Sequence, residues 1–126
     1  MGSLAATVPA DVNQLAQLRQ QLSAWLAAAG VAAELRAGVV LATNEAAGNV
    51  IQHAVPCNSL SLRAAIDEHL LTVEITDTGN WDGQVQDGNG ENNAGGRGLL
   101  MIRQLVEHVE IRTSRQGTTI RMQQPV

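Results

Sequence analysis

Residues 41–54, LATNEAAGNVIQHA, place three polar side chains four residues apart in an otherwise apolar, alanine-rich segment. Glu45, Asn49 and His53 therefore share one face of a predicted helix, because residues four apart are neighbours on a helix surface. Burying a polar group without a partner costs about 1–3 kcal/mol. A polar stripe on a helix that should be buried indicates that a bound ligand with a metal supplies the missing partners.

The apolar residues around this stripe predict a helix from about residue 33 to 54. Its apolar face recurs at helical spacing, and Pro56 ends it. A helix before it begins with Pro9 and Asp11, which suit a first helical turn, and ends before Gly30 at a plausible C-cap. Leu15, Leu18, Leu22 and Trp25 on the first helix serve the core or a dimer interface, and the core is the better interpretation.

The rest of the chain alternates between strand patterns and one long polar segment. Residues 3–8 predict an edge strand, 60–66 and 71–75 a hairpin, and 109–113 and 118–122 a second hairpin. A short helix is predicted over 99–107. Segment 78–98 contains seven glycines, and loops of this length inside a domain are usually functional or disordered. Strands in hairpins with helices on one face predict an α+β two-layer sandwich, as a single domain over 1–126.

Composition excludes several functional classes. All eight basic residues are arginine, and phenylalanine and tyrosine are absent, so binding of nucleic acid by a basic face with aromatic stacking is not expected. The absence of lysine also excludes a P-loop lysine and a Schiff-base lysine. No segment has the length of a transmembrane helix or the pattern of a signal peptide. With a single cysteine, the chain suits a reducing, cytoplasmic compartment.

Three clusters carry side chains suited to phosphate chemistry. The glycine-rich turn 95–98 should aim backbone N–H groups at an anion where a helix begins, and Arg97 adds a charge suited to phosphate. Asn49 offers an oxygen ligand for Mg²⁺, and Glu45 one turn away is placed to accept a proton. Asp77 at a strand end suits an exocyclic amine such as that of adenine. Each motif alone also fits a plain role: a solvated helix face, an ordinary turn, or a linker with a helix cap.

Taken in order, these motifs resemble the GHKL ATPase superfamily, and within it the anti-sigma-factor serine kinases of the RsbW type. LATNEAAGNVIQHA resembles the N box, VEITDTGNWD the G1 box, GGRGLLMIRQLVEHVEI the G2 box, and GTTIRM the closing G3 strand. The resemblance covers essentially the whole chain and implies the Bergerat ATP-binding sandwich. Trp81 replaces the second glycine of the general G1 pattern, and the Trp81-Asp82 pair favours the anti-sigma group.

The resemblance also assigns roles to individual residues. It implies that Glu45 is the general base and that Asn49 ligates Mg²⁺. The remaining residues are implied to bind ATP: Asp77 and Gly79 near the adenine, Gly96, Arg97 and Gly98 near the phosphates, and Thr118 near the adenine through water. His53 is interpreted as a structural histidine near the site.

The implied function is an ATP-dependent serine-protein kinase of a partner-switching module. It would phosphorylate a STAS-domain anti-anti-sigma factor and would sequester a sigma factor. Family behaviour further implies a homodimer. Two alternatives stay open: a binding module that sequesters its partner with little or no kinase activity, and the excised ATPase domain of a larger sensor. The chain ends soon after its last predicted strand, which disfavours a sensor histidine kinase with its own phosphoacceptor domain.

Overall fold

One antiparallel sheet carries three helices on one of its faces. The computed structural model describes residues 2–53, 59–77, 96–114 and 117–126. A 3-10 helix, Val12–Gln14, precedes the first α-helix. The other elements are β1 (Ser3–Pro9), α1 (Leu15–Ala28), α2 (Ala33–His53), β2 (Ser59–Asp67), β3 (Leu70–Asp77), α3 (Gly96–Leu105), β4 (His108–Ser114) and β5 (Gly117–Pro125). The predicted α+β sandwich is confirmed.

The five strands lie in the order β1-β2-β3-β5-β4, and every neighbouring pair is antiparallel. Both predicted hairpins, β2–β3 and β4–β5, are present. Glu68 and His69 form the turn of the first, with φ angles of 52° and 69°. The pairing of β3 with β5 joins the two hairpins into one sheet. This pairing places the end of β3 beside the start of β5.

Alternation along the strands separates a buried face from an open one. On β3, Leu71, Val73, Ile75 and Asp77 are buried, while the residues between them are more exposed. Leu18, Leu22 and Leu26 of α1 are buried against this face, as are Val39, Ala42, Ala46 and Val50 of α2. The apolar stripe of the first helix therefore lies in the core, as the sequence favoured. All the helices that the structure describes lie on this face, and none of the described elements covers the opposite face of the sheet.

The first helical segment begins and ends where the sequence predicted, near Asp11 and before Gly30. Asp11 accepts a hydrogen bond from the Asn13 N–H at 2.9 Å and so caps the 3-10 helix. Gly30 follows α1 with φ of 85° and donates to the Ala27 carbonyl at 3.0 Å. Glycine tolerates this left-handed conformation because it has no Cβ. No helix in the described ranges is long and apolar enough to span a bilayer.

Helix α3 begins three residues earlier than expected, at Gly96 rather than Leu99. The glycines at 96 and 98 indicated a turn, because glycine has low helix propensity. The first four N–H groups of a helix have no intrahelical acceptor, so glycine opposes helix formation least there. The glycine-rich turn is therefore partly the first turn of α3.

Helices α2 and α3 approach each other closely at Gly38. A Cβ added there would lie 3.4 Å from the Leu105 carbonyl oxygen and 4.0 Å from Leu105 Cδ2. An added methyl group would thus meet Leu105 at van der Waals distance, whereas a larger side chain would have to displace the end of α3.

Candidate functional site

A buried carboxylate lies where β3 ends. Asp77 is 1% exposed, and its Oδ2 accepts a hydrogen bond from the backbone N–H of Thr118 at 2.9 Å. The contact joins the last residue of β3 to the second residue of β5. A carboxylate is almost never buried unless it is paired or hydrogen-bonded. This hydrogen bond holds Asp77 in place on the helix-facing side of the sheet.

The hydroxyl of Thr118, the residue whose N–H binds this carboxylate, is also buried. Thr118 is 7% exposed, and within the described ranges its Oγ1 has no hydrogen-bond partner. Native proteins leave few buried polar atoms unsatisfied, and each such atom calls for an explanation. A ligand or a ligand-bound water at this end of the sheet would satisfy it.

Glu45 and Asn49 line a groove of about 380 Å³ on α2. Both side chains are half-buried rather than fully buried, so these two residues of the polar stripe lie beside the core, not inside it. The side chain of His53, the third residue of the stripe, lies outside the described residues. The groove is lined by Val12, Leu15, Asn44, Glu45, Gly48, Asn49, Ile51 and Gln52. Glu45 and Asn49 are thus accessible to a ligand.

Helix α2 connects these two groups of residues. It packs against β3 and β5, which carry Asp77 and Thr118, and against α3. The backbone of Gly96, Arg97 and Gly98 forms the first turn of α3. The side chain of Arg97 and all of Gly79 lie outside the described residues, so their predicted phosphate and adenine contacts stay predictions.

Arg19 and Asn44 form a contact that the sequence did not indicate. The Arg19 guanidinium donates to Asn44 Oδ1 at 2.8 Å and ties α1 to α2. Asn44 lies next to Glu45 in the chain and lines the same groove. The partners are 25 positions apart in the chain, so no local pattern signals the contact. The hydrogen bond fixes the wall of the groove on the α1 side.

The residues present fit a magnesium nucleotide. Mg²⁺ takes few ligands from the protein and most from phosphates and water, so the amide oxygen of Asn49 would be enough for the protein to hold it. In the part of the chain that the structure describes, no three His, Cys, Asp or Glu side chains converge on a metal site. Thr118 Oγ1, buried and unpartnered within the described ranges, adds a hydrogen-bonding position near Asp77.

Replacing Thr118 with valine tests whether its buried hydroxyl contributes to the stability of the fold, to ATP binding, or to both. We expect Thr118→Val to raise the free energy of unfolding by about 1 kcal/mol, because the buried hydroxyl is removed while the shape is kept. We expect the same change to weaken ATP binding roughly 2–10-fold through one lost hydrogen bond. Urea denaturation and calorimetric titration with ATP and Mg²⁺ measure the two effects. A variant with lower stability and unchanged affinity would assign the hydroxyl to folding instead.

Solved structures share this fold. A crystal structure of the RsbU and RsbW domains of Rv1364c from Mycobacterium tuberculosis matches with a TM-score of 0.80 and 25% identity, over 99% of this chain and 32% of that one. The blue-light-activated histidine kinase of Erythrobacter litoralis matches with a TM-score of 0.54 and 24% identity, over 73% of this chain and 30% of that one. The histidine kinase domain of the same protein matches with a TM-score of 0.55 and 19% identity, over 94% and 61%.

This chain thus spans about a third of the Rv1364c structure, and the likeness to the histidine kinase shows the fold alone. The comparison with curated proteins gave no match. A family model described as the histidine kinase-like ATPase domain matches residues 8–124. This match includes the end of β1, both hairpins to residue 124, the three described helices and the residues at the end of β3. The chain therefore belongs to the histidine kinase-like ATPase domain family.

Proposed function

We propose that this chain is an ATP-dependent serine-protein kinase and anti-sigma factor. In this proposal it phosphorylates a STAS-domain anti-anti-sigma factor and sequesters a sigma factor when that partner is phosphorylated. Membership of the histidine kinase-like ATPase family supports ATP binding. The likeness to the structure that contains the RsbW domain supports a role in partner switching.

The observation that carries the proposal is the open groove beside Glu45. A carboxylate that acts on a protein hydroxyl must be reachable by a macromolecule, and Glu45 is half-buried in an open groove. Val12 borders this groove and is 62% exposed although it is apolar. Leu100 of α3 is 60% exposed. Val12 therefore leaves an apolar side chain at the edge of the groove that a protein substrate would contact.

In the proposed reaction, bound ATP with Mg²⁺ supplies an activated phosphoryl group. Asn49 would hold the metal, and Asp77 and Thr118 would hold the base of the nucleotide. Glu45 orients the serine hydroxyl and accepts its proton as the bond from serine oxygen to phosphorus forms and the bond to the leaving group breaks. The N–H groups at the start of α3 stabilise negative charge there. The protein thus contributes mainly positioning and electrostatic stabilisation.

Incubation with γ-labelled ATP and candidate STAS-domain proteins tests the proposal. We expect label on a serine of one partner, with ADP released in equal amount. Mass spectrometry of the partner locates the phosphate. A partner that binds tightly but never gains phosphate would contradict kinase activity and favour the sequestering module instead.

A second reading places the chain within a longer regulator. The Rv1364c structure contains two named domains in one chain, of which this chain spans 32%. In that arrangement the ATPase domain acts on, or is controlled by, a covalently attached neighbour. The full reading frame around residues 1–126 distinguishes a stand-alone protein from such a domain.

A further inference from the structure

Gly48 is a glycine that the described part of the chain does not require. It lies inside α2, away from both ends of the helix, where glycine is less stable than alanine. Among the glycines in the described ranges, only Gly2 and Gly30 have a positive φ angle. A Cβ added at Gly48 would meet no atom of the described residues within 4 Å, unlike one added at Gly38. Neither backbone conformation nor packing among these residues therefore accounts for a glycine here.

Gly48 lines the groove on α2 that also holds Glu45 and Asn49. Because glycine has no Cβ, a ligand in the groove can approach the helix backbone at this position more closely than at any other residue type. A residue that weakens the helix and leaves open space at its surface indicates close approach by a molecule from outside the chain.

The angular positions of residues around α2 define which side of Glu45 the glycine occupies. Successive residues of an α-helix are about 100° apart. Viewed along the axis, Asn49 lies about 40° to one side of Glu45, and Gly48 lies about 60° to the other. Gly38, which contacts α3, lies about 20° from Glu45 on the side of Asn49. Asn44, whose side chain binds α1, lies about 100° away on the side of Gly48. Glu45 therefore stands between an α3 side and an α1 side of the helix.

This order suits transfer of a phosphoryl group from a nucleotide to a protein. The proposed metal ligand Asn49 and the proposed phosphate site at the start of α3 both lie on the α3 side of Glu45. The attacking and leaving oxygens of phosphoryl transfer lie roughly in line, with the phosphorus between them. The attacking hydroxyl must therefore reach Glu45 from the side away from the nucleotide, which is the side of Gly48.

The walls of the groove carry groups that suit a polypeptide backbone. Arginine can only donate hydrogen bonds, so the contact of Arg19 with Asn44 Oδ1 at 2.8 Å fixes the orientation of the Asn44 amide. The N–H₂ group of Asn44 then points away from Arg19 and can donate to a peptide carbonyl oxygen. Gln52 adds an exposed carboxamide, which both donates and accepts. Val12 and Ile51 supply apolar surface beside these amides.

The size of the groove limits what it can hold. Its volume is about 380 Å³, near the lower end of the roughly 300–1,000 Å³ that is usual for ligand pockets. A short extended segment fits such a volume, whereas a folded surface does not enter it.

We propose that this groove receives the serine-bearing segment of the protein substrate, with the substrate backbone passing directly over Gly48. The serine hydroxyl then reaches Glu45 from the α1 side of α2, opposite the nucleotide. Gly48 positions the substrate, because its missing side chain sets how closely the two backbones approach. The inference rests on the kinase function proposed above and adds to it the path of the substrate segment.

Gly48→Ala tests the proposal because it should stabilise the fold and weaken substrate binding. Alanine favours a helix interior and has open space here, so the urea midpoint of unfolding should rise. The same methyl group occupies the groove, so KM for the STAS-domain partner should rise about tenfold, and about 100-fold in Gly48→Leu. The kcat at saturating partner and the Kd for ATP should change by less than about twofold, because uniform binding of the partner is what is lost. Steady-state transfer of labelled phosphate, and calorimetric titration with the partner and with ATP, measure these quantities.

Ala37→Leu is the matched control for Gly48→Leu. Ala37 is exposed on almost the same face of α2, about 16 Å nearer its start. Its enlargement should leave KM at the wild-type value. An unchanged KM in Gly48→Leu would overturn the proposal and leave the kinase function intact, and a large loss of ATP affinity in Gly48→Ala would also overturn it.

The calorimetric titrations separate this proposal from the kinase function. If the wild type binds the partner but transfers no phosphate, the kinase function fails, while weaker partner binding by both Gly48 variants would still support the groove as the docking site. Equal partner affinity in the wild type and in Gly48→Leu would overturn the groove whether or not phosphate is transferred.

Discussion

Glu45→Gln should lower phosphoryl transfer to a STAS-domain partner by about 10²–10⁴-fold, the usual contribution of a general base. The substitution keeps the size and hydrogen-bonding shape of the side chain in the groove and removes only its ability to accept a proton. ATP binding should remain unchanged, because in the proposed arrangement Glu45 acts on the attacking hydroxyl. Single-turnover transfer of labelled phosphate, with calorimetric titration of ATP, measures the two quantities separately.

Glu34→Gln is the matched control for Glu45. It makes the same chemical change in the same helix, at an exposed position in the first turn of α2. Transfer by the control should equal that of the wild type. If Glu45→Gln transferred phosphate as fast as the wild type, Glu45 would not be the general base. Equal losses of transfer in both variants would indicate a general effect on α2.

Asp77→Asn should weaken ATP binding roughly 10–150-fold, since hydrogen bonds to a charged group contribute about 1.5–3 kcal/mol. Asparagine preserves one carbonyl oxygen that can still accept the Thr118 N–H, so the end of β3 should stay folded. The other oxygen is replaced by an N–H₂ group, which only donates hydrogen bonds. It therefore cannot accept a hydrogen bond from an exocyclic amine of the nucleotide base. Titration with ATP and thermal unfolding of the free protein test the two expectations together.

Asp67→Asn controls for the loss of a carboxylate. Asp67 ends β2 at the opposite, exposed end of the same hairpin. Its substitution should leave ATP affinity unchanged. If Asp77→Asn bound ATP as tightly as this control, Asp77 would have only a structural role.

Local patterns predicted the elements of this fold, and long-range pairing was outside their reach. The helix predicted from 33 to 54 is observed over Ala33–His53, because its apolar period and the following proline act within a few turns. The Glu68–His69 turn was marked by polar residues between two alternating runs. The joining of β3 to β5 pairs residues more than forty positions apart.

The candidate site likewise combines features that local sequence patterns predict with features that depend on long-range packing. Glu45 and Asn49 are one helical turn apart, and their common groove follows from that spacing. The hydrogen bond from Thr118 to Asp77 spans 41 residues and depends on the sheet register. The Arg19–Asn44 contact depends on how α1 crosses α2, and no pattern in either helix specifies it. Local periodicity therefore placed Glu45 and Asn49 on one face of α2, while tertiary packing determined which atoms meet around Asp77 and Asn44.

Gly38 and Leu105 meet at the end of α3 that lies furthest from its proposed anion site. Gly38 lies seven residues before Glu45, about 10 Å along the axis of α2. Leu105, which rests on it, ends α3, while the N–H groups proposed to face phosphate lie at the other end of that helix. A small rotation of α3 about this point would move its first turn several times further than Leu105 itself. A larger residue at position 38 would therefore misalign the anion site from a distance, without touching any residue that binds the nucleotide.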